Sequence, residues 1–331
     1  MKTQRILIAG GGGFIGGQLA RVLLDRGHQV VVADIKPKEK WYQYHEKAEN
    51  LQVNLEEKDG CFKASDGCDT IYNLACNMGG IGFIESNRAL CMLSVLINTH
   101  MLMAAHVHGV KQYLYSSSAC VYAAGRQTSS DVLALKEEDA YPAMPEDGYG
   151  WEKLFSERMS KHFEEDYGMN IRVVRFHNVY GPYGTWDGGR EKAPAALCRK
   201  VIHALATGDL EIEIWGDGEQ TRSFMYIDDC ITGLDKLMAS DFSDPINLGR
   251  SELVSINQLL DMIEEIEGVK LKRHYNTNAP QGVRGRNSDN ALIREKLGWE
   301  PEIDLKSGLN RTYWWIKDQY ERRLRGEPVI Q

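Results

Sequence analysis

An apolar run, Arg5 to Ala9 (RILIA), breaks into Gly10, Gly11, Gly12 and Gly13 and then resumes as a helical pattern at Leu19, Val22 and Leu23. That order is a strand, a tight turn and a helix, and Gly10, Gly13 and Gly16 carry the GxxGxxG spacing of a pyrophosphate-binding turn. Glycine has no Cβ, so phosphates can come close to the backbone amides at the positive end of the helix dipole. The predicted cradle is Gly10, Gly13, Phe14, Ile15 and Gly16. The next apolar run, Gln29 to Ala33, ends in Asp34. An acid at that place accepts hydrogen bonds from both ribose hydroxyls and repels a 2′-phosphate, which predicts NAD over NADP. Lys36 and Lys38 follow closely and make the preference less than absolute.

Strand and helix patterns go on alternating. Strands are expected near Leu51–Val53, Thr70–Leu74, Gln112–Ser116 and Asn170–Phe176, and helices over Leu55–Lys63, Asn87–His108 and Trp151–Tyr167. This predicts an α/β chain with a Rossmann-type, doubly wound parallel sheet. From Tyr180 the character changes. GPYGTWDGGREKAP is a long polar loop of the kind that binds something. Shorter pieces follow: helices near Ala195–Ala206, Asp228–Met238, Ile256–Glu267 (capped by Ser255) and Leu305–Arg322, and strands at Glu211–Trp215 and Pro245–Leu248. The expected division is a cofactor-binding domain over residues 1–178 and a smaller C-terminal α/β substrate-binding domain over 179–331, with some later segments returning to the first.

With 331 residues, 43% of them hydrophobic, the chain can bury a substantial core. A net charge of −8 and the lack of a dense Lys/Arg run argue against nucleic acid or an anionic membrane as partner. Seven cysteines, an odd number with no CxxC, read as free thiols in a reducing compartment, so a cytoplasmic protein is expected. No uninterrupted apolar run approaches 18 residues, and none is expected to span a membrane. No His or Cys cluster has metal-ligand spacing, and no metal is expected.

Tyr149 and Lys153, in YGWEK, are four apart where a helical pattern opens, so they share one helix face. An ammonium beside a phenol favours phenolate and can make a base for an alcohol. A strand ending in Ser116, Ser117 and Ser118 precedes the pair. Ser116 and Ser117 read as strand-end caps, while Ser118 is the candidate catalytic hydroxyl.

At these residues the sequence resembles the short-chain dehydrogenase/reductase superfamily in its extended form, which acts on nucleotide sugars. GGGGFIGGQL, Asp34, SSSACVY, YGWEK, RFHNVYGP, RSFMYIDD and INLG occur in the family's order over nearly the whole chain. The resemblance implies that Tyr149 takes a proton from a sugar hydroxyl as NAD takes the hydride, that Lys153 holds the nicotinamide ribose, and that Asn178 touches the substrate phosphates. NMGGIGFIESN, Cys120 after Ser118, GTWDGGREKAPAALCRK, WGDGEQTRSF and GVRGRNSDN resemble the branch that epimerises GDP-mannose at C3 and C5.

That branch implies a mechanism. A ketone at C4 makes the hydrogens on C3 and C5 acidic, a thiol at Cys120 can remove them, and Lys192 returns a proton on the other face. Dehydratases of the family carry Asp-Glu where this chain has Ala119 and Cys120. Gly79, Glu191, Ala193, Lys200 and Gln220 are carried over as substrate contacts, and Arg222 and Arg286 as pyrophosphate clamps, since guanidinium forks bind phosphate oxygens in pairs. Asn54 stands where the family has an aspartate for the adenine amine, and Cys76 and Asn77 replace an Ala-Asp pair. His177 is given no role. Family members pair two helices into a dimer interface, which here implicates Asn87–His108 and Trp151–Tyr167 and implies a homodimer.

Two other readings stay open at this point: a 4-epimerase or 4-keto reductase on another nucleotide sugar, and a catalytically silent NAD-binding regulator. The first predicts activity without Cys120. The second predicts tight NAD binding with no turnover.

Overall fold

A computed structural model describes residues 3–330. Six strands run in parallel, β1 (Arg5–Ala9), β2 (Gln29–Asp34), β3 (Glu49–Gln52), β4 (Thr70–Asn73), β5 (Gln112–Ser118) and β6 (Ile171–Phe176), and Ile246–Leu248 adds a seventh beyond β6. From one edge the order is Ile246–Leu248, β6, β5, β4, β1, β2, β3. The order reverses between β1 and β4, and the carboxyl ends of those strands open the crevice where ligands bind in such sheets.

Both faces of the sheet are covered, as a parallel sheet requires. Successive residues of β1 point to opposite sides. Ile6 and Ile8 pack with Leu19 and Leu23 of the helix Phe14–Asp25, and this core runs on into the C-terminal half. Leu7 and Ala9 pack on the other face with Ile71, Met101, Leu102 and Ala105.

The C-terminal half is built from the helices Ala193–Thr207, Ile256–Glu267 and Leu305–Leu324 packed together beside a parallel pair, Glu211–Trp215 and Lys272–Asn276. Ser255 caps its helix as expected. Its hydroxyl accepts from Gln258 N–H at 3.1 Å, and the Gln258 side chain accepts from Ser255 N–H at 2.8 Å.

One expectation needs correction. Asn87–His108 is not one helix but Arg88–Met92 followed by Val95–Val107. Ser94, Leu96 and Ile97 bond back three residues instead of four, and the Ser94 hydroxyl accepts from Asn77 N–H at 2.9 Å, which pins the break under the active-site crevice. By length and composition, Arg88–Val107, with a mean hydropathy of 1.6, is apolar enough to cross a membrane. Here Ile97, Met101, Leu102, Ala104 and Ala105 of that stretch are buried in the protein core.

Under the carboxyl end of β5 lies a buried ion pair. Arg175 donates to both Glu157 oxygens, from Nε at 2.9 Å and from Nη2 at 2.7 Å, and Ser117 Oγ donates to the same carboxylate. Removing one partner strands the other charge in the core. Glu157→Ala is therefore expected to cost about 3–5 kcal/mol, seen as an earlier midpoint in chemical denaturation with NAD bound. An unchanged midpoint contradicts this.

Candidate active site

The glycine turn is shaped by short backbone contacts. Gly10 and Gly11 N–H both donate to Ala33 C=O, at 2.8 and 3.2 Å, and Gly13 N–H donates to Gly10 C=O at 3.0 Å. Gly10 has a φ of +79°, and a Cβ there would stand 2.9 Å from the Ala75 backbone. A Cβ on Gly16 would stand 2.6 Å from Gly10 C=O. No other residue lets the helix start this close to the strand end.

Gly10, Gly13, Gly16, Phe14, Ile15, Asp34 and Asn54 all line one cavity of about 350 Å³. Asp34 Oδ1 accepts from Lys36 N–H at 3.0 Å. The Lys36 ammonium donates to Gly12 C=O at 2.8 Å and stands 4.2 Å from the centre of the Tyr42 ring, so that cation is engaged away from Asp34. The Asn54 amide oxygen accepts from Glu56 N–H at 3.0 Å, which leaves its second lone pair for another donor, and its Nδ2 donates to Glu57 at 3.2 Å. The cradle and the carboxylate fit a dinucleotide with a free ribose. Asp34→Ala is expected to weaken NAD about ten- to a hundredfold, the worth of hydrogen bonds to a charged group, and to leave NADP binding much less changed. Cofactor titration by tryptophan fluorescence checks it, and equal losses for both cofactors contradict it.

A second cavity, of about 280 Å³, adjoins the first. Gly79, Ser118, Tyr149, His177 and Lys192 border both. Cys120, Asn178, Glu191, Ala193, Lys200, Gln220, Arg222 and Arg286 border the second. The structure thus brings the predicted residues into two joined chambers, with the exception of Lys153, which borders neither.

Tyr149 opens the helix Tyr149–Tyr167, and Lys153 lies one turn later beneath it. Lys153 Nζ donates to Ser116 C=O at 3.0 Å, is 3.6 Å from Glu152, and stands 5.5 Å from the Tyr149 ring centre. Burial opposes its charge, but Cys76, Glu152 and Tyr149 outweigh burial and hold the ammonium firmly protonated. The phenol departs from expectation. Burial is the largest influence on Tyr149 and raises its pKa well above the ordinary value, while Lys153 pulls the other way. Ser116 and Ser117 are structural, their hydroxyls donating to Asn73 C=O and to Glu157.

Ser118 ends β5, and its Oγ accepts from Cys120 N–H at 3.2 Å, which caps the turn Ala119–Val121 and sets the half-buried thiol at the chamber wall. Lys192 arrives from another element, as the cap of the helix Ala193–Thr207. Burial lowers its pKa, against the pull of Cys120, so it gives up a proton more readily than an ordinary lysine. The loop before it is well anchored. Trp186 is fully buried and its indole N–H donates to Ile330 C=O, Arg199 pairs with Asp187 at 3.3 Å and Glu191 at 3.0 Å, and Gly80 N–H donates to Arg190 C=O at 3.0 Å. The Glu191 carboxylate serves this loop, accepting from Gly189 N–H at 2.7 Å and from Arg199 Nη2 at 3.0 Å.

Farther out, Lys200 donates to Glu213 C=O at 2.7 Å, Asn178 to Ser223 C=O at 3.1 Å, and Gln220 Nε2 to Trp215 C=O at 2.7 Å. Gln220 Oε1 is buried with no partner. Arg222 donates to Thr221 and Gln281 carbonyls at 2.7 and 3.1 Å, and burial lowers its pKa to about 10. His177, with its pKa pushed down by burial to about 4, is neutral in the shared wall. Three chamber residues that sequence reasoning passed over are Glu146, Trp215 and Gln281. The PEDGYG run just before Tyr149 could have pointed to Glu146.

Residues 6–249 match the model of the NAD dependent epimerase/dehydratase family. The chain is 49% identical over 322 residues to GDP-mannose 3,5-epimerase 1 of Oryza sativa subsp. japonica, covering 97% of this chain and 84% of that protein. It is 47% identical over 330 residues to GDP-mannose 3,5-epimerase of Arabidopsis thaliana, covering 99% and 86%. Among solved structures it is similar to UDP-glucose 4-epimerase from Thermotoga maritima, with a TM-score of 0.87 and 25% identity over 96% of this chain and 99% of that one.

Proposed function

Because the chain belongs to the NAD-dependent epimerase/dehydratase family, we propose that it epimerises a nucleotide sugar at C3 and C5 through a 4-keto intermediate. The substrate is GDP-mannose and the main product GDP-L-galactose, with inversion at C5 alone giving GDP-L-gulose as a side product. The observation that carries this reading is Cys120 and Lys192 bordering one chamber from two separate elements, with Tyr149 in the wall shared with the cofactor cavity. The similarity to two proteins named GDP-mannose 3,5-epimerase supports the base and the sugar.

NAD, when bound, supplies the acceptor for the C4 hydride and the donor that restores it. Gly10, Gly13, Phe14, Ile15, Gly16 and Asp34 would hold it. Tyr149 acts as the phenolate that the Lys153 ammonium favours against burial, receives the proton of the C4 hydroxyl and becomes the phenol, and Ser118 orients that hydroxyl. Lys153, clamped to Ser116, keeps positive charge under the phenol and works against the effect of burial. Once C4 is a ketone, the Cys120 thiolate takes the proton from C5 and the Lys192 ammonium delivers one to the opposite face; the resulting thiol and amine exchange protons with solvent to regain their starting forms, and the same transfer follows at C3. Cofactor is regenerated, so no net redox occurs.

Incubating the protein with GDP-mannose in heavy water tests this. Deuterium should appear at C3 and C5 of the recovered sugar. Folded, NAD-loaded protein that introduces no label rules the reading out, and label-free interconversion at C4 favours the 4-epimerase alternative.

The proposal includes a homodimer in the cytoplasm. Leu90, Met92, Leu93 and Leu96, with Trp151 and Phe155 on the helix packed beside them, form an exposed apolar face. The described cysteines are all free, as suits a reducing compartment. Phe155→Glu is expected to convert dimer to monomer in light scattering, and a wild-type monomer contradicts the dimer.

A further inference from the structure

Asp34, Lys36, Glu56, Arg190 and Lys192 are the charged side chains lining the cofactor cavity. Asp34 stands where the ribose belongs, Glu56 accepts from Asn77 Nδ2 at 2.9 Å, Lys36 bonds Gly12 C=O, and Lys192 reaches the sugar chamber. Arg190 is different. It comes from the loop that crosses out of the C-terminal half, where its C=O accepts from Gly80 N–H at 3.0 Å and its guanidinium carbon lies 4.0 Å from the centre of the Phe83 ring. The loop's two acids, Asp187 and Glu191, pair with Arg199 and Arg323, which leaves the Arg190 guanidinium without a carboxylate among the described residues. A second observation points the same way. Burial lowers the Lys36 pKa, Asp34 resists, and the charge of Arg190 lowers it further. Two cations thus share one cavity, and an anion bound there relieves their repulsion.

We propose that Arg190 is the cation that holds the cofactor's pyrophosphate, reaching it from the C-terminal half of the chain and adding net charge to the neutral amides of the glycine turn. This rests on NAD as the cofactor and not on which sugar is turned over. A guanidinium stacked by one face on an aromatic ring keeps its N–H edges free, and those edges bind phosphate oxygens in pairs. The other arginines near the site, Arg222 and Arg286, border the second chamber and belong to the diphosphate of the nucleotide sugar. Lys36 already spends a donor on Gly12 C=O. Arg190 is therefore the cation suited to the cofactor's phosphates. Its place in the chain gives the contact a consequence, because Glu191 and Lys192 follow it directly. Cofactor phosphates bound to Arg190 fasten the segment that brings the Lys192 ammonium to the sugar.

Release of bound NADH, followed by its fluorescence after a chase of excess NAD, tests this without sugar and so without turnover. In Arg190→Gln release should be about ten- to a hundredfold faster, the worth of hydrogen bonds to a charged group expressed in the off-rate. ADP-ribose, used as a competitor, should lose affinity by the same factor. Adenosine, which has no phosphate, should compete as well against the variant as against the wild type. Arg190→Lys serves if the glutamine variant does not fold: an ammonium keeps the charge but not the fork, and release should still be severalfold faster. Unchanged release, or an equal loss for adenosine, overturns the proposal. So does a loss confined to GDP, which would move Arg190 to the phosphates of the nucleotide sugar. Faster release in a protein that puts no deuterium into GDP-mannose supports the clamp and sinks only the assigned reaction.

Discussion

Replacing Cys120 by alanine is expected to stop deuterium uptake at C3 and C5 while leaving hydride exchange at C4 intact. The thiol sits on the turn Ala119–Val121, held by the Ser118 cap and facing Arg286. Alanine keeps that turn, since the cap acts on a backbone N–H, and it keeps the Arg286 contacts to Gln127 and Glu146. What disappears is a group that can accept a proton from carbon, and removing such a group costs about 10²–10⁴-fold. Nuclear magnetic resonance of GDP-mannose in heavy water reads the loss directly. Borohydride trapping of a 4-keto sugar on the variant would show that oxidation survives. Label still arriving at C5 at more than a tenth of the normal rate contradicts the assignment.

Tyr149→Phe should fail earlier in the cycle, and so more broadly. The ring borders both chambers and remains in phenylalanine, so nucleotide sugar should still bind. Without the hydroxyl no residue is placed to receive the C4 proton, and the expected loss is about 10²–10⁴-fold in every later event. Exchange at C3 and C5 falls with it, because those hydrogens are acidic only beside a carbonyl. The two variants therefore separate the steps: one loses proton exchange alone, the other loses both. Retention of C5 exchange in Tyr149→Phe would mean the sugar is activated without oxidation at C4.

What could be read from the chain was what lies close together in it. The glycine turn, Asp34, the Tyr149–Lys153 pair and the Ser255 cap each depend on residues within one turn or one strand end, and spacing alone locates them. The seven-stranded parallel order likewise follows from alternating strands and helices. Contacts between distant residues were hidden. Arg286 meets Gln127 across 159 positions, and Trp186 meets Ile330 across 144, so no local pattern could pair them. The phenol's direction of shift was missed for a similar reason: helical spacing placed Lys153 near Tyr149, but how deeply both are buried is set by the whole fold. The break at Leu93–Ser94 depends on a backbone N–H from Asn77, which apolar periodicity does not register.

The strand Ile246–Leu248 lies at the edge of the cofactor sheet, against β6, although it comes after most of the substrate chamber in the chain. The polypeptide thus crosses from one half to the other and back before it finishes. Recombining this protein with a relative at a single junction near residue 178 would transplant an edge strand along with the sugar pocket. Because the helices Ile256–Glu267 and Leu305–Leu324 then lie in the C-terminal half again, a chimera that preserves its own cofactor half needs three crossovers, one near residue 178 and one on each side of the returning segment.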